Sequence, residues 1–597
     1  MRLPVLLLGL TLALSACAPP ITVNRTDLTM RPVPALPDLG AVDVEALMAE
    51  YEDEDGVYLN SILTIEHTFG LPRTADWSYI SDKQLQYVVL DADAEWLTTQ
   101  TIRVPEGGRI DGIFSRVTSP DGRVQLYTGE DAVVTEDDGL TTYKFVYPSV
   151  ERGTLIEESS RVTYEIGRDF PPPLSEDIRL VASVPTKNLE VRYLYPQTWG
   201  MQVKRIRPGV IPEIETIPNY NLSGKTLIRY TATDVPAYQE EEYAPYYKET
   251  ADYLETRVTA IRDVGYTPAD SWQEFADEFS DYAFKRGGLF SNPVRSATRQ
   301  AIPDESVSDS LKLVQIVRWV QTNIEVGSTD KQDLNTVVRE QKGNPLLICG
   351  LTQGMLDRVG IESEFLLIHP LQEGFFDDTF ISPSQFSIPA VRASVDGRDY
   401  VVFPFLEGLP VTIIPAPFQG ATALRVTPDG FGGFLTIPDV DVETYAVDNE
   451  YVVTVREDGV IEVEETQTLR DIAAWSIRDD FKDLDEEEME DEIRELLTYN
   501  EGEIEGLEYD LVGLDEFGSP FEIRIRYTIP NLVTLTPEEV IVQTAGLLSP
   551  SSLSSSVVDL DDRQHPIRIY YDTQTNTTHG SRSITPPRGR SRRSWKT

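Results

Sequence analysis

The sequence predicts a multidomain α+β protein: an N-terminal β-sandwich, a central α+β domain and a C-terminal β-sandwich. Three observations carry this. The chain has 597 residues, room for about four domains of ordinary size. Short alternating stretches separated by turn signals such as Pro120-Asp121-Gly122 fill residues 55–237 and return from Glu443 to about Asp572. Between them the apolar spacing becomes helical and then returns to strands. The expected organisation is a leader at 1–16, a tether and short helix at 17–54, and a β-sandwich at 55–237. A mixed domain at 238–415, a β domain at 416–575 and a basic tail at 576–597 follow.

At the start, Met1-Arg2 precedes the apolar run Leu3–Leu14, too short to span a bilayer and typical of a signal sequence. It ends in Leu14-Ser15-Ala16-Cys17, which resembles the bacterial lipobox. The resemblance implies cleavage before Cys17, acylation of its thiol and attachment to a membrane through that residue. Ala18, where Asp commonly signals inner-membrane retention, favours the outer membrane. No later stretch holds the ~18 continuous apolar residues of a spanning helix. Residues 18–40 are rich in proline and polar residues and read as a tether. A short acidic helix is expected over Val42–Glu52. Strands are expected at Leu63–Phe69, Gln84–Leu90, Arg109–Val117, Val124–Thr128, Thr141–Val146, Arg161–Ile166 and Leu189–Tyr193.

The Glu- and Tyr-rich link Gln239–Tyr247 leads into helical sequence. Ser271–Lys285 is one amphipathic helix. Ser308–Asn323 is another, with Ser308 as N-cap and Leu311, Val314, Ile316, Val317 and Val320 as its buried stripe. After Gly343-Asn344-Pro345 a helix runs to about Val359 and stops at Gly360. Strands follow at Ser363–Ile368, Ala390–Val395 and Tyr400–Pro404, with Asp396-Gly397 as a hairpin turn. In the C-terminal β region an acidic helix, Asp483–Leu497, interrupts the strands. The tail Ser581–Thr597 holds five arginines, one lysine and no acid.

Charge excludes one class of partner. Lys plus Arg number 52 against 99 Asp plus Glu, a net of −47, which repels a phosphate backbone and excludes a nucleic-acid partner. Two cysteines, Cys17 and Cys349, rule out a disulfide scaffold or a cysteine zinc site. The acid clusters Asp439-Val440-Asp441 and Asp559-Leu560-Asp561-Asp562 lack EF-hand spacing. No cofactor or metal is expected.

The segment from Lys342-Gly343-Asn344-Pro345 to Gly360-Ile361 resembles the core motif of bacterial transglutaminase-like domains, which have a papain-like fold. That motif reads Gly-Asp-Cys, then a helix ending in Gly-Ile, then a strand. The resemblance implies a cysteine nucleophile at a helix N-terminus, where the macrodipole lowers its pKa. It also implies a His on a later strand as base and an Asp on the next strand to orient it. In an ungapped register Asn344 replaces the Asp of the motif, Pro345 the nucleophile, Ile388 the His and Phe403 the orienting Asp. At the three triad positions neither Pro345, Ile388 nor Phe403 can transfer a proton. The stretches Arg116–Val124 and Gly153–Glu157 are in turn similar to an uncharacterised β-sandwich domain that precedes transglutaminase-like domains in envelope proteins.

The expectation is therefore a catalytically degenerate, lipid-anchored envelope protein that binds a protein or peptide partner. The alternative is a cysteine-dependent transglutaminase or isopeptidase using Cys349, one turn beyond Pro345, with His369 as base. The apolar context Leu346-Leu347-Ile348 favours Cys349 as a core residue, and His369 before Pro370 reads as a strand-end surface histidine. A purely structural spacer is a third reading.

Overall fold

The computed structural model describes residues 35–40, 42–69, 77–91, 93–105, 108–137, 140–148, 150–166, 175–206, 213–241, 244–262, 267–281, 291–329, 331, 333–439, 447–456, 458–482, 484–497, 504–514, 520–530, 533–535, 540–542, 563, 565–566 and 575–577. Cys17, the leader and the basic tail lie outside them. The chain is mixed α+β, rich in strands, and divides into two compact units.

The first unit comprises residues 12–275 and 377–385. Its frame is an eight-stranded sheet in the order Glu213–Ile217, Lys225–Val235, Thr186–Pro196, Gly56–Phe69, Trp77–Val89, Leu155–Ile166, Gly108–Thr118, Val124–Thr128. Two three-stranded sheets cover it. One joins Trp199–Ile206, Tyr253–Ile261 and Ser175–Arg179; the other joins Thr99–Pro105, Leu140–Val146 and Val133–Asp137. Side chains alternate along a strand, so the strand Trp77–Val89 shows where the small sheets sit. Tyr79 packs in the first core, and Leu85, Tyr87 and Val89 pack in the second. All four have the same parity, which puts both small sheets on one face of the large sheet. The strand Tyr253–Ile261 lies beyond residue 237, yet it pairs with both neighbours in this unit. A period-2 pattern identifies a strand without saying which sheet it joins.

On the opposite face Val57, Leu59, Val88 and Leu90 are buried beneath Leu39, Val42, Leu47 and Met48. The last two belong to the helix Val44–Glu50, whose N-cap Asp43 accepts from the Ala46 N–H at 3.1 Å. The rest of this face carries cross-strand ion pairs beside buried apolar residues such as Ile62 and Leu227. Arg161 grips Asp82 through Nε and Nη2, both at 2.6 Å; Arg116 pairs with Glu157 and Lys225 with Glu66.

The second unit comprises residues 276–376 and 386–597. Four helices, Asn292–Ala301, Asp309–Asn323, Leu334–Glu340 and Pro345–Arg358, precede an antiparallel five-stranded sheet. Its order is Arg398–Val402, Ile388–Val395, Glu362–His369, Thr422–Thr427, Gly430–Thr436. The last two strands lie beyond residue 415. Asp396 and Gly397 form the hairpin turn with φ of 53° and 76°, left-handed values such a turn demands.

In the helix Asp309–Asn323 Ser308 is the N-cap and accepts from the Leu311 N–H at 3.3 Å. Its buried stripe is Leu313, Ile316, Val317 and Val320, whereas Leu311 and Val314 are 43% and 41% exposed. The expected stripe is corrected accordingly. At 3.6 residues per turn Leu311 and Val314 lie about 140–160° round from Ile316, so apolar character there does not mark the core face.

A second sheet in this unit joins Glu505–Val512, Phe521–Ile529, Ile461–Leu469, Val447–Val455 and Thr575–Thr577. Among the described residues its apolar face is covered by helices. Phe481 and Ala474 of Asp471–Phe481, and Ile493 of Glu486–Leu496, share one core with Val463, Phe521, Ile523 and Tyr527. The acidic helix exposes Glu486, Glu487, Glu488 and Glu492 and caps itself: Asp485 accepts from the Glu488 N–H, and Glu488 accepts from the Asp485 N–H, both at 3.0 Å.

Candidate functional site at the start of the 345–358 helix

The segment that resembles the transglutaminase motif folds as a strand residue, a cap and a helix. Gly343 is buried, and a Cβ there would stand 3.2 Å from both Val337 methyls, so a side chain would crowd Val337. Asn344 is the N-cap and accepts from the Leu347 N–H at 2.9 Å. Pro345 is the first helical residue, where its missing N–H costs nothing, and it is buried. At Gly360, φ is 80° and the chain leaves the helix for the strand Glu362–His369.

Two contacts fix how the helix lies on that strand. Gln353 Nε2 donates to the Ser363 carbonyl at 3.3 Å. A Cβ on Gly350 would stand 3.5 Å from the Phe365 ring. Moving toward the helix start therefore moves toward the strand end. The same step carries Pro345 about 7.5 Å beyond Gly350, toward the His369 end of the face that Phe365 and Leu367 share.

Ile388 and Phe403 belong together, but on the other face. Ile388 pairs with Ile368, and Phe403 shares with Leu366, Ile368 and Ile388 the core that lies away from the helix. Phe403 is 1% exposed and stacks on Phe418 at 5.0 Å. The structure thus unites two of the three triad positions of the ungapped register and separates them from Pro345. Their neighbours along the chain are Ser387, Pro389, Val402 and Pro404. A shift of one residue in either direction therefore supplies no imidazole and no carboxylate.

His369 ends its strand but is buried, which corrects the expected surface histidine. The chain after Pro370 folds back over it: Nε2 lies 2.8 Å from the Gly374 carbonyl, and the Phe376 ring centroid lies 5.9 Å away. A carbonyl only accepts, so Nε2 carries the proton and donates. Cys349 has no exposed surface, and burial alone pushes its thiol well above the ordinary range. A thiol so placed is protonated and out of reach, whereas nucleophilic cysteines are partly exposed thiolates. Among the described residues no three His, Cys, Asp or Glu side chains stand close enough together to hold a metal ion.

No protein-family model matches the chain, and no curated protein matches it. Among solved structures the chain is similar to a candidate protease from Parabacteroides distasonis at 16% identity. That match covers 80% of this chain and 94% of the other, with a TM-score of 0.49. It is also similar to a candidate cysteine protease from Cytophaga hutchinsonii at 14% identity, covering 45% and 90%, with a TM-score of 0.17. A TGase aligns at 11% identity over 36% of this chain and 51% of that one, with a TM-score of 0.14.

Proposed function

We propose that the chain is a lipid-anchored envelope protein with a transglutaminase-like central domain that lacks a working triad and binds a protein or peptide partner. One observation carries the loss of catalysis. At the helix start a buried proline occupies the nucleophile position, and the only cysteine among the described residues is sealed in the core one turn further on. A single substitution would leave the rest of a triad in place; here Ile388 and Phe403, at the register's His and Asp positions, also supply neither base nor acid. Binding falls to the outermost strands of the central sheet, Arg398–Val402 and Gly430–Thr436. An extended peptide adds to such an edge through main-chain hydrogen bonds.

The test is alkylation of Cys349 by iodoacetamide in the folded protein carrying Cys17→Ser, with pH varied. Labelling only on unfolding is expected. Rapid labelling below about pH 7 would reveal an activated thiolate and overturn the non-catalytic reading.

A further inference from the structure

We propose that the strand Val124–Thr128, outermost in the large sheet, is a self-association edge through which two copies of the chain pair antiparallel about Leu126. The main chain sets this up. The register places Thr118 opposite Val124, and one step further the Ser119 N–H donates to the Arg123 carbonyl at 2.9 Å. Ser119 and Arg123 are therefore a hydrogen-bonded pair, and such pairs alternate along an antiparallel ladder. Gln125 and Tyr127 turn their N–H and C=O groups to the neighbouring strand Gly108–Thr118. Val124, Leu126 and Thr128 turn theirs outward, where no further strand follows among the described residues.

The Thr128 N–H is already taken, by Asp131 Oδ2 at 2.7 Å. The outward donors are then the N–H groups of Val124 and Leu126. Antiparallel pairing with Leu126 on a two-fold axis uses both. Leu126 of each copy exchanges both its bonds with its counterpart, and the Val124 N–H of each copy meets the Thr128 carbonyl of the other. The side chains agree with this register. Val124 and Leu126 are 54% and 61% exposed and lie on one face of the strand. Pairing sets Leu126 against Leu126 and Val124 against the Thr128 methyl, cross-strand contacts that cover all of them.

Composition and charge point to a second copy as the occupant. Sheet edges are ordinarily guarded by charge or proline. The other outermost strand of this sheet, Glu213–Ile217, carries Glu213 and Glu215. Val124–Thr128 reads Val-Gln-Leu-Tyr-Thr, without charge or proline, in a chain that holds 99 acids. Opposite charges flank it: the exposed Arg123, which bonds Asp121 in the adjoining turn, comes before it, and Glu130 and Asp131 come after. Antiparallel pairing brings Arg123 of each copy beside Gly129 and Glu130 of the other, cation to carboxylate at both ends. Parallel pairing would set like charges together. A two-fold contact consumes the edge on both copies and stops at a dimer.

The experiment is sedimentation equilibrium of the full mature chain with Cys17→Ser over a rising concentration series. A monomer–dimer equilibrium is expected. Leu126→Pro removes an outward N–H and spares the inward bonds of Gln125 and Tyr127, and it should weaken the dimer about tenfold or more. Leu126→Lys keeps the backbone donor but sets two like charges together at the axis, and should weaken the dimer similarly. Arg123→Glu and Glu130→Arg should each weaken it several-fold, and the two combined should recover most of the loss. A chain that stays monomeric throughout the series would overturn the proposal. So would a dimer that neither Leu126→Pro nor Leu126→Lys changes, or a mass that grows beyond two copies. Failure of the combined charge exchange to recover the loss would overturn the antiparallel register.

Discussion

His67 is a buried base held neutral by its surroundings. Its Nε2 lies 2.7 Å from the Tyr193 hydroxyl, and the rings of Tyr79, Tyr193 and Trp199 stand 5.2–5.3 Å away. Desolvation, with Lys225 as the lesser cause, lowers its pKa to about 3. In the unfolded chain the same imidazole titrates near 6.5. Below that pH the unfolded state binds the proton and the folded state does not, so stability falls as pH falls. The contribution is intact above about 6.5 and amounts to a loss of about 2 kcal/mol between pH 7 and pH 5. Glu255 works in the opposite sense. Burial first, then Asp177, raises its pKa to about 7, so its ionisation weakens the fold as pH rises. The two are separated by a variant: urea unfolding of His67→Phe at pH 7 and pH 5 should show a pH-dependent loss smaller than the parent's by up to that ~2 kcal/mol. An unchanged difference would mean that His67 is not neutral in the fold.

Much of the local structure was legible because it depends on neighbours along the chain. Asn344-Pro345 and Gly360 bracket a helix through capping and proline geometry, and the structure places it at Pro345–Arg358. Asp396-Gly397 makes its hairpin for the same kind of reason. What the sequence did not disclose depends on tertiary partners. Leu311 and Val314 look as apolar as Ile316, and only the neighbouring helices decide which side is buried. His369 reads as exposed until the chain after Pro370 is seen folding back on it. The ungapped register falls on Ile388, which begins one strand, and Phe403, which follows the next, but face is decided by single residues. Ile388 and Phe403 consequently point away from the helix that carries Pro345. The stripe in Asp309–Asn323 makes the distinction measurable. Ile316→Ala, at a site with no exposed surface, should cost about 2–5 kcal/mol. Val314→Ala should stay within about 0.5 kcal/mol of the parent. Comparable losses in denaturant titrations would reinstate the sequence-based stripe.

Charge and attachment act on the chain as a whole. With −47 formal charges, an anionic membrane surface repels the protein, so electrostatics do not hold it there. No described helix is long and apolar enough to cross a membrane. Under the lipoprotein reading, anchoring therefore rests on acyl chains at Cys17, each buried CH₂ contributing about 0.8 kcal/mol. Ala35 is held to the large sheet by Gln84, and the residues 18–34 between it and Cys17 span at most about 60 Å when fully extended at about 3.5 Å per residue. Cys17→Ser should move the protein from the membrane fraction to the soluble envelope fraction at any salt concentration. Inserting a flexible Gly-Ser stretch between Cys17 and Pro32 should preserve membrane association and lengthen the reach. Membrane retention of the Cys17→Ser variant that persists at high salt would place the anchor elsewhere in the chain. Retention that high salt abolishes would instead point to an electrostatic contact with the basic residues of 582–596 as its source.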